Sequence, residues 1–328
     1  MAPGLTRLLR ELAVVAVAFA LVDGAVRHYA RTHFVAPRKL AAALAAGDGC
    51  VVFSGGSDLQ SALDVPLVAA RWRGERPRCI ADLSLGGTTP DVRFMAFRRY
   101  LEGPRRPATL VVGFKGHDLA DERELDPGHY LGSDAAVYEW GRFSDLPAYY
   151  PTLSMKAVDN AVRFALMKAT AIGAHRQAAW IKLDALEQRL GLVPKKEMNA
   201  LGNVEAFREL EQEARSAALA RRDQASGAGF RLAVWSSRLI DAAQAAGARV
   251  SFVRLPGTAA SERAYFADAA HERRFDDFMA ALAREHGGVY LELAHAPWMN
   301  DALLVDGLHY APRAAELISE ALANDLGH

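Results

Sequence analysis

Residues 51–58 read Val51-Val52-Phe53-Ser54-Gly55-Gly56-Ser57-Asp58, and their character changes midway. Cys50 to Phe53 is apolar without alternation, the pattern of a short strand buried on both faces. Gly55 and Gly56 break it with a turn, and Ser57 opens a helix or helical turn running to Leu63. A buried strand, a glycine turn and a helix in succession predict a parallel sheet covered by helices.

The same rhythm recurs along the chain. Cys79 to Leu83 predicts a second strand, followed by Gly86-Gly87-Thr88-Thr89-Pro90. Pro90 suits the first turn of a helix through Val92, Phe94, Met95, Phe97 and Leu101. Leu110 to Phe114 predicts a third strand, Val250 to Val253 a fourth and Gly288 to Leu293 a fifth, with a last helix after Pro312. Residues 121–150 read as an ordered loop rich in Tyr, Pro, Gly and Asp. From Ser154 to Leu190 apolar residues recur at helical spacing, among them Val158, Val162, Leu166, Ile172 and Trp180. Glu205 to Arg222 reads as an exposed charged helix, and Phe230 to Ala246 as a helix leading into the fourth strand. The expected architecture is a three-layer α/β/α sandwich on a mostly parallel sheet. It comprises an N-terminal segment over residues 1–33 and a domain over 34–328 with a helical insertion at about 121–246.

Composition narrows the function. Lys+Arg and Asp+Glu both number 39 in the 328 residues, so no basic excess points to nucleic acid. His-Glu-x-x-His, Cys-x-x-Cys, Gly-x-Gly-x-x-Gly and the phosphate-binding Gly-Lys-Ser/Thr loop are all missing, and no cofactor is expected.

Leu12 to Val22 is an unbroken apolar run, preceded by Arg7 and Arg10 and closed by Asp23. It is short beside the roughly 20 residues of a spanning helix. An uncleaved anchor with snorkelling flanks is the favoured reading, since no clear small-x-small cleavage site follows. A cleaved signal, giving a secreted protein, and an amphipathic helix packed on the domain are the alternatives. Basic residues ahead of the run favour an exported body, an argument blunted by Arg27, His28 and Arg31 just after it. Cys50 and Cys79 each begin an expected strand. They are either two small buried residues or, in an exported protein, a disulfide.

In an open parallel sheet, reactive loops gather beyond the carboxyl ends of the strands. Ser57, Gly87 and His117 follow the first three expected strands, and Asp306 and His309 follow the last by a short segment. A serine hydroxyl needs a base within reach, and the base needs a partner fixing its tautomer. His309 is suited to take the Ser57 proton, with Asp306, three residues earlier, on the other ring nitrogen. The N–H groups of Ser57 and Gly87 are the natural donors to an oxyanion. Ser54 precedes the turn and is the poorer nucleophile; Leu59 stands where Gly-x-Ser-x-Gly would need its last glycine, against an α/β-hydrolase elbow.

This set resembles the SGNH hydrolase superfamily of GDSL-like esterases and acyltransferases. Gly55-Gly56-Ser57 stands for the family's Gly-Asp-Ser, Gly87 for its oxyanion glycine, and Asp306 and His309 for its Asp-x-x-His. Lys115-Gly116-His117-Asp118 replaces Gly-x-Asn-Asp, so His117 takes the place of the asparagine donor. The resemblance implies a flavodoxin-like strand order and an acyl-serine intermediate. With the N-terminal apolar run the chain resembles membrane-anchored, extracytoplasmic proteins of cell-surface polymer acylation. The resemblance implies a protein anchored at the inner membrane on its periplasmic or extracytoplasmic face, acting on acylated carbohydrate or another ester, with a membrane-bound O-acyltransferase as the partner it would work with. The rival reading is a non-catalytic accessory protein of such a complex. Tyr130, Tyr138, Trp140, Tyr149 and Tyr150 are either packing residues or a rim on which sugars stack.

Overall fold

The computed structural model describes residues 3–73, 77, 79–86, 88–114, 139–150, 152–175, 230, 232–257, 266, 268–305 and 309–327, with side chains from residue 10. Its elements are α1 (Pro3–His33), α2 (Val35–Ala46), β1 (Cys50–Ser54), α3 (Ser57–Ala62), α4 (Val65–Arg71), β2 (Cys79–Asp82), α5 (Pro90–Leu101) and β3 (Thr109–Phe114). There follow a 3-10 turn (Phe143–Asp145), α6 (Leu146–Tyr149), α7 (Met155–Ala169), α8 (Val234–Ala245), β4 (Arg249–Arg254), α9 (Ala269–Glu285), β5 (Gly287–Glu292), a 3-10 turn (Asp301–Leu303) and α10 (Pro312–Asp325).

The strands form a five-stranded sheet in the order β2-β1-β3-β4-β5, parallel throughout. The protein is thus an α/β/α sandwich with the flavodoxin-like order. All five strands lie within a residue or so of the apolar runs that predict them. β1 and β3 are buried at every position, whereas the edge strands β2 and β5 are only partly covered. Alternate residues feed two cores. Val51, Phe53, Val111, Val253 and Leu291 pack with Leu59, Val68, Ile318 and Leu322 of α3, α4 and α10. On the other face Phe114 meets Phe252 and Phe275, and Phe94 of α5 packs at a tilt against Trp235 of α8.

Cys50 and Cys79 are register partners at the start of β1 and β2, and their sulfurs form a disulfide. Adjacent parallel strands bring the two Cα atoms to 4.4 Å, at the short end of bridging separations. Replacing both cysteines with serine is expected to cost about 3–4 kcal/mol, from the entropy of closing a loop of separation 29. Equilibrium urea unfolding of the two proteins measures it, and an unchanged midpoint would deny the bridge a stabilising role.

The chain divides into two compact units, residues 1–38 with 127–195, and residues 39–126 with 196–328. The second holds the sheet. In the first, α1 contains a stretch of 24 residues, Arg10–His33, long and apolar enough to cross a membrane. Leu12, Val14, Val15, Val17, Phe19, Leu21 and Val22 are all exposed. The packed part of α1 comes later: Ala30 is buried and Asp23 Oδ1 accepts the Ile172 N–H at 3.0 Å.

The stretch expected as a loop over 121–150 contains helical turns where it is described, from residue 139 to 149. Of the helix expected over Ser154 to Leu190, α7 forms the first part and ends where Thr170 becomes extended; a further helical turn covers residues 171–175. Residues 176–190 and the expected helix Glu205 to Arg222 lie outside the described residues. Trp140 and Tyr149 are buried and present no face on which a sugar could stack; Tyr130 and Tyr138 lie outside the described residues.

Candidate functional site

The carboxyl end of β1 is built around Leu59. A methyl group added at Gly55 would lie 2.7 Å from Leu59 Cβ, and one at Gly113 would lie 3.0 Å from it. The two glycines, at the end of β1 and within β3, let α3 settle on the sheet with Leu59 fully buried between the strands. This fixes the first residue of α3, Ser57, just past the strand end and half-buried. Ser54 is buried completely. Of these two serines, only Ser57 has surface open to solvent.

The loop after β2 lies against Ser57. Leu83 N–H donates to the Phe53 carbonyl at 2.8 Å and Leu85 N–H to the Gly55 carbonyl at 3.0 Å, extending the β1–β2 ladder beyond the strands. Thr88 Oγ1 donates to the Leu85 carbonyl at 2.7 Å and closes the turn. A methyl group at Gly86 would lie 3.6 Å from Ser57 Cβ and 3.2 Å from Gln60 Oε1. Gly86, the neighbour of Gly87, thus passes directly over the start of α3. Gly87 itself lies outside the described residues, as do Lys115 to Asp118 with His117.

The segment after β5 also arrives at α3. Leu304 and Tyr310 form an antiparallel bridge, and Val305 N–H donates to the His309 carbonyl at 2.8 Å. Tyr310 N–H donates to Ser61 Oγ at 3.3 Å. Its hydroxyl donates to the Pro256 carbonyl, beyond β4, at 2.5 Å, and the ring is buried. Tyr310 therefore ties three strand-end segments together. Ser61 stands four residues after Ser57, one turn further along the same face of α3. His309, half-buried, is the chain neighbour of Tyr310, the residue bonded to α3. Asp306 lies outside the described residues.

Behind Ser57 is a charge that the sequence reading passed over. Arg93 of α5 is buried, and a methyl group at Gly56 would lie 3.1 Å from its Nη2 and 2.8 Å from Asp58 Oδ1. Asp58 and Asp91 are buried as well. The signal available in the sequence was an arginine set between Val92 and Phe94 in an apolar stretch. The role of Tyr310 left no such signal, because its partners are 54 and 249 residues away.

A second polar cluster stands at the carboxyl end of β4. Arg254, the last residue of β4, is buried and pairs with Asp276 at 3.0 Å and with Glu272. Its guanidinium also lies over the rings of Phe266 and Phe275. Tyr290 donates to Asp276 at 2.6 Å; burial first, and that carboxylate second, push its phenol far above the ordinary tyrosine range. Among the described residues, no three His, Cys, Asp or Glu side chains are grouped to hold a metal ion.

Fold and site together define an α/β/α sandwich protein with one apolar N-terminal helix and the loops after β2 and β5 brought to α3. The chain matches no protein-family model, and comparison with curated proteins finds no relative.

Proposed function

We propose that this protein is a membrane-anchored serine esterase or O-acyltransferase of the SGNH type, acting outside the cytoplasm on acyl esters of a cell-surface polysaccharide. Ser57 Oγ attacks the acyl carbonyl while His309 takes the hydroxyl proton and Asp306 holds the other ring nitrogen. The oxyanion is met by the N–H groups of Ser57 and Gly87 and by His117. Collapse expels the alcohol, which receives the proton from His309, and leaves an acyl ester on Ser57. Water or a sugar hydroxyl then attacks that ester, giving its proton to His309, and His309 passes it to Ser57 Oγ as the acyl–oxygen bond breaks. A membrane-bound O-acyltransferase is the partner that would supply the acyl group.

The observation that carries this reading is the hydrogen bond from Tyr310 N–H to Ser61 Oγ, which joins the neighbour of His309 to the helix that begins at Ser57. The approach of Gly86 to Ser57 supports it from the oxyanion side. The Cys50–Cys79 disulfide suits an oxidising compartment, and α1 suits an anchor. The test is labelling of the full chain in membranes with a fluorophosphonate probe, followed by peptide mapping. The expected result is one modified residue, Ser57. A chain that takes up no probe would favour the non-catalytic accessory reading, and modification at another serine would displace Ser57 from its role.

A further inference from the structure

The spacing of Val158, Val162 and Leu166 is that of a core-facing stripe, yet α7 turns it outward. The helix buries Ala157, Asn160 and Phe164 and leaves Met155, Val158, Val162 and Leu166 exposed, Met155 at 84% and Leu166 at 63%. At 3.6 residues per turn these two sets lie on opposite sides of the helix. The exposed face runs about 16 Å, from Met155 to Leu166, at 1.5 Å per residue. Leu153, just before the helix, is 92% exposed and prolongs it. Contiguous apolar surface of this kind marks an interaction site.

The position of α7 identifies what covers it. Ile172, three residues past the end of α7, donates its N–H to Asp23, the first residue after the apolar run of α1. Phe34 packs on His175 at 5.2 Å between ring centroids, so the segment after α7 follows the emerging part of α1. The segment just past α7 is thereby held beside Asp23, where the unbroken apolar run of α1 ends. Lys156 and Arg163 are exposed beside the stripe together with the acid Asp159, Arg31 stands exposed on α1, and Arg27 pairs with Asp23 at 3.3 Å. An apolar helix face bordered by cations is the pattern of a helix lying in a membrane interface, where anionic headgroups meet the bases.

We propose that α7 lies on the leaflet from which α1 emerges, with its Met155–Val158–Val162–Leu166 face in the interface of an anionic phospholipid membrane. The proposal rests on α1 spanning that membrane. It makes the first compact unit a two-point attachment: one helix crosses the bilayer and a second rests on it.

The experiment uses the full chain in vesicles of phosphatidylethanolamine and phosphatidylglycerol. Spin labels are placed at single cysteines introduced by Val17→Cys, Val162→Cys, Leu166→Cys and Arg163→Cys. Collision with oxygen is compared with collision with a water-soluble nickel chelate. Labels at 162 and 166 are expected to favour oxygen several-fold, as the label at 17 does, and the label at 163 to favour nickel. Replacing phosphatidylglycerol by phosphatidylcholine is expected to lower the oxygen preference at 162 and 166. An unchanged ratio overturns the role given to the basic flank. Nickel preference at 162 and 166 with oxygen preference at 17 overturns the interfacial helix and leaves the anchor standing. Nickel preference at 17 removes both. Shielding of 162 and 166 from both reagents overturns the proposal in favour of a protein cover, a second copy or a partner.

Discussion

Ser57→Ala is expected to abolish fluorophosphonate labelling and to lower ester turnover by about 10⁴-fold or more, the scale seen when a triad nucleophile is removed. The expectation rests on how three serines divide the work at the end of β1. Ser54 is fully buried in the sheet and Ser61 accepts the Tyr310 N–H, while Ser57 alone heads the helix with part of its surface open. Ser54→Ala should therefore keep turnover within about twofold, since it removes one buried hydroxyl and alters no loop. Ser61→Ala should fall between them. It leaves the nucleophile in place but frees the segment that carries His309, and a misplacement of about 1 Å costs on the order of 10²-fold. Steady-state hydrolysis of a chromogenic acetyl ester by the purified variants separates the three. Equal turnover by wild type and Ser57→Ala would end the catalytic reading.

The largest loss of stability is expected from Arg254→Ala, about 3–5 kcal/mol. Arg254 is 3% exposed and faces Asp276 and Glu272, which are themselves mostly covered. Removing the cation leaves two carboxylates close together in a site with little water, with Tyr290 as a remaining donor to one of them. The two ring faces that the guanidinium covers, on Phe266 and Phe275, lose their partner at the same time. Arg254→Lys should recover only part of the loss, because an ammonium group cannot reproduce the planar fork on two acids. Urea unfolding followed by tryptophan fluorescence measures both. An Arg254→Ala midpoint equal to wild type would mean that the network contributes nothing net.

The strands were legible because a central strand of a parallel sheet has no solvent face. Cys50 to Ser54 and Thr109 to Phe114 are buried at every position, and their sequences are correspondingly apolar. The helix boundaries at Ser57 and Pro90 were legible for local reasons too, a glycine turn in one case and a proline at the first turn in the other. The face of α7 was misleading. Period alone says that Val158, Val162 and Leu166 share a side, and it does not say whether that side meets protein, lipid or water.

Of the candidate site, the sequence supplied the residues and their order along the chain but not their meeting. Local pattern, which follows from backbone geometry and the apolarity of neighbours, was enough to determine five strands, the glycine turn before Ser57 and an apolar N-terminal helix. Only the tertiary structure decided that Cys50 faces Cys79, that Leu59 nests between Gly55 and Gly113, and that Tyr310 clasps both Ser61 and the carbonyl of Pro256. Those contacts depend on strand register and on segments up to 249 residues apart, and no local property of a chain encodes a distance between parts that folding alone brings together.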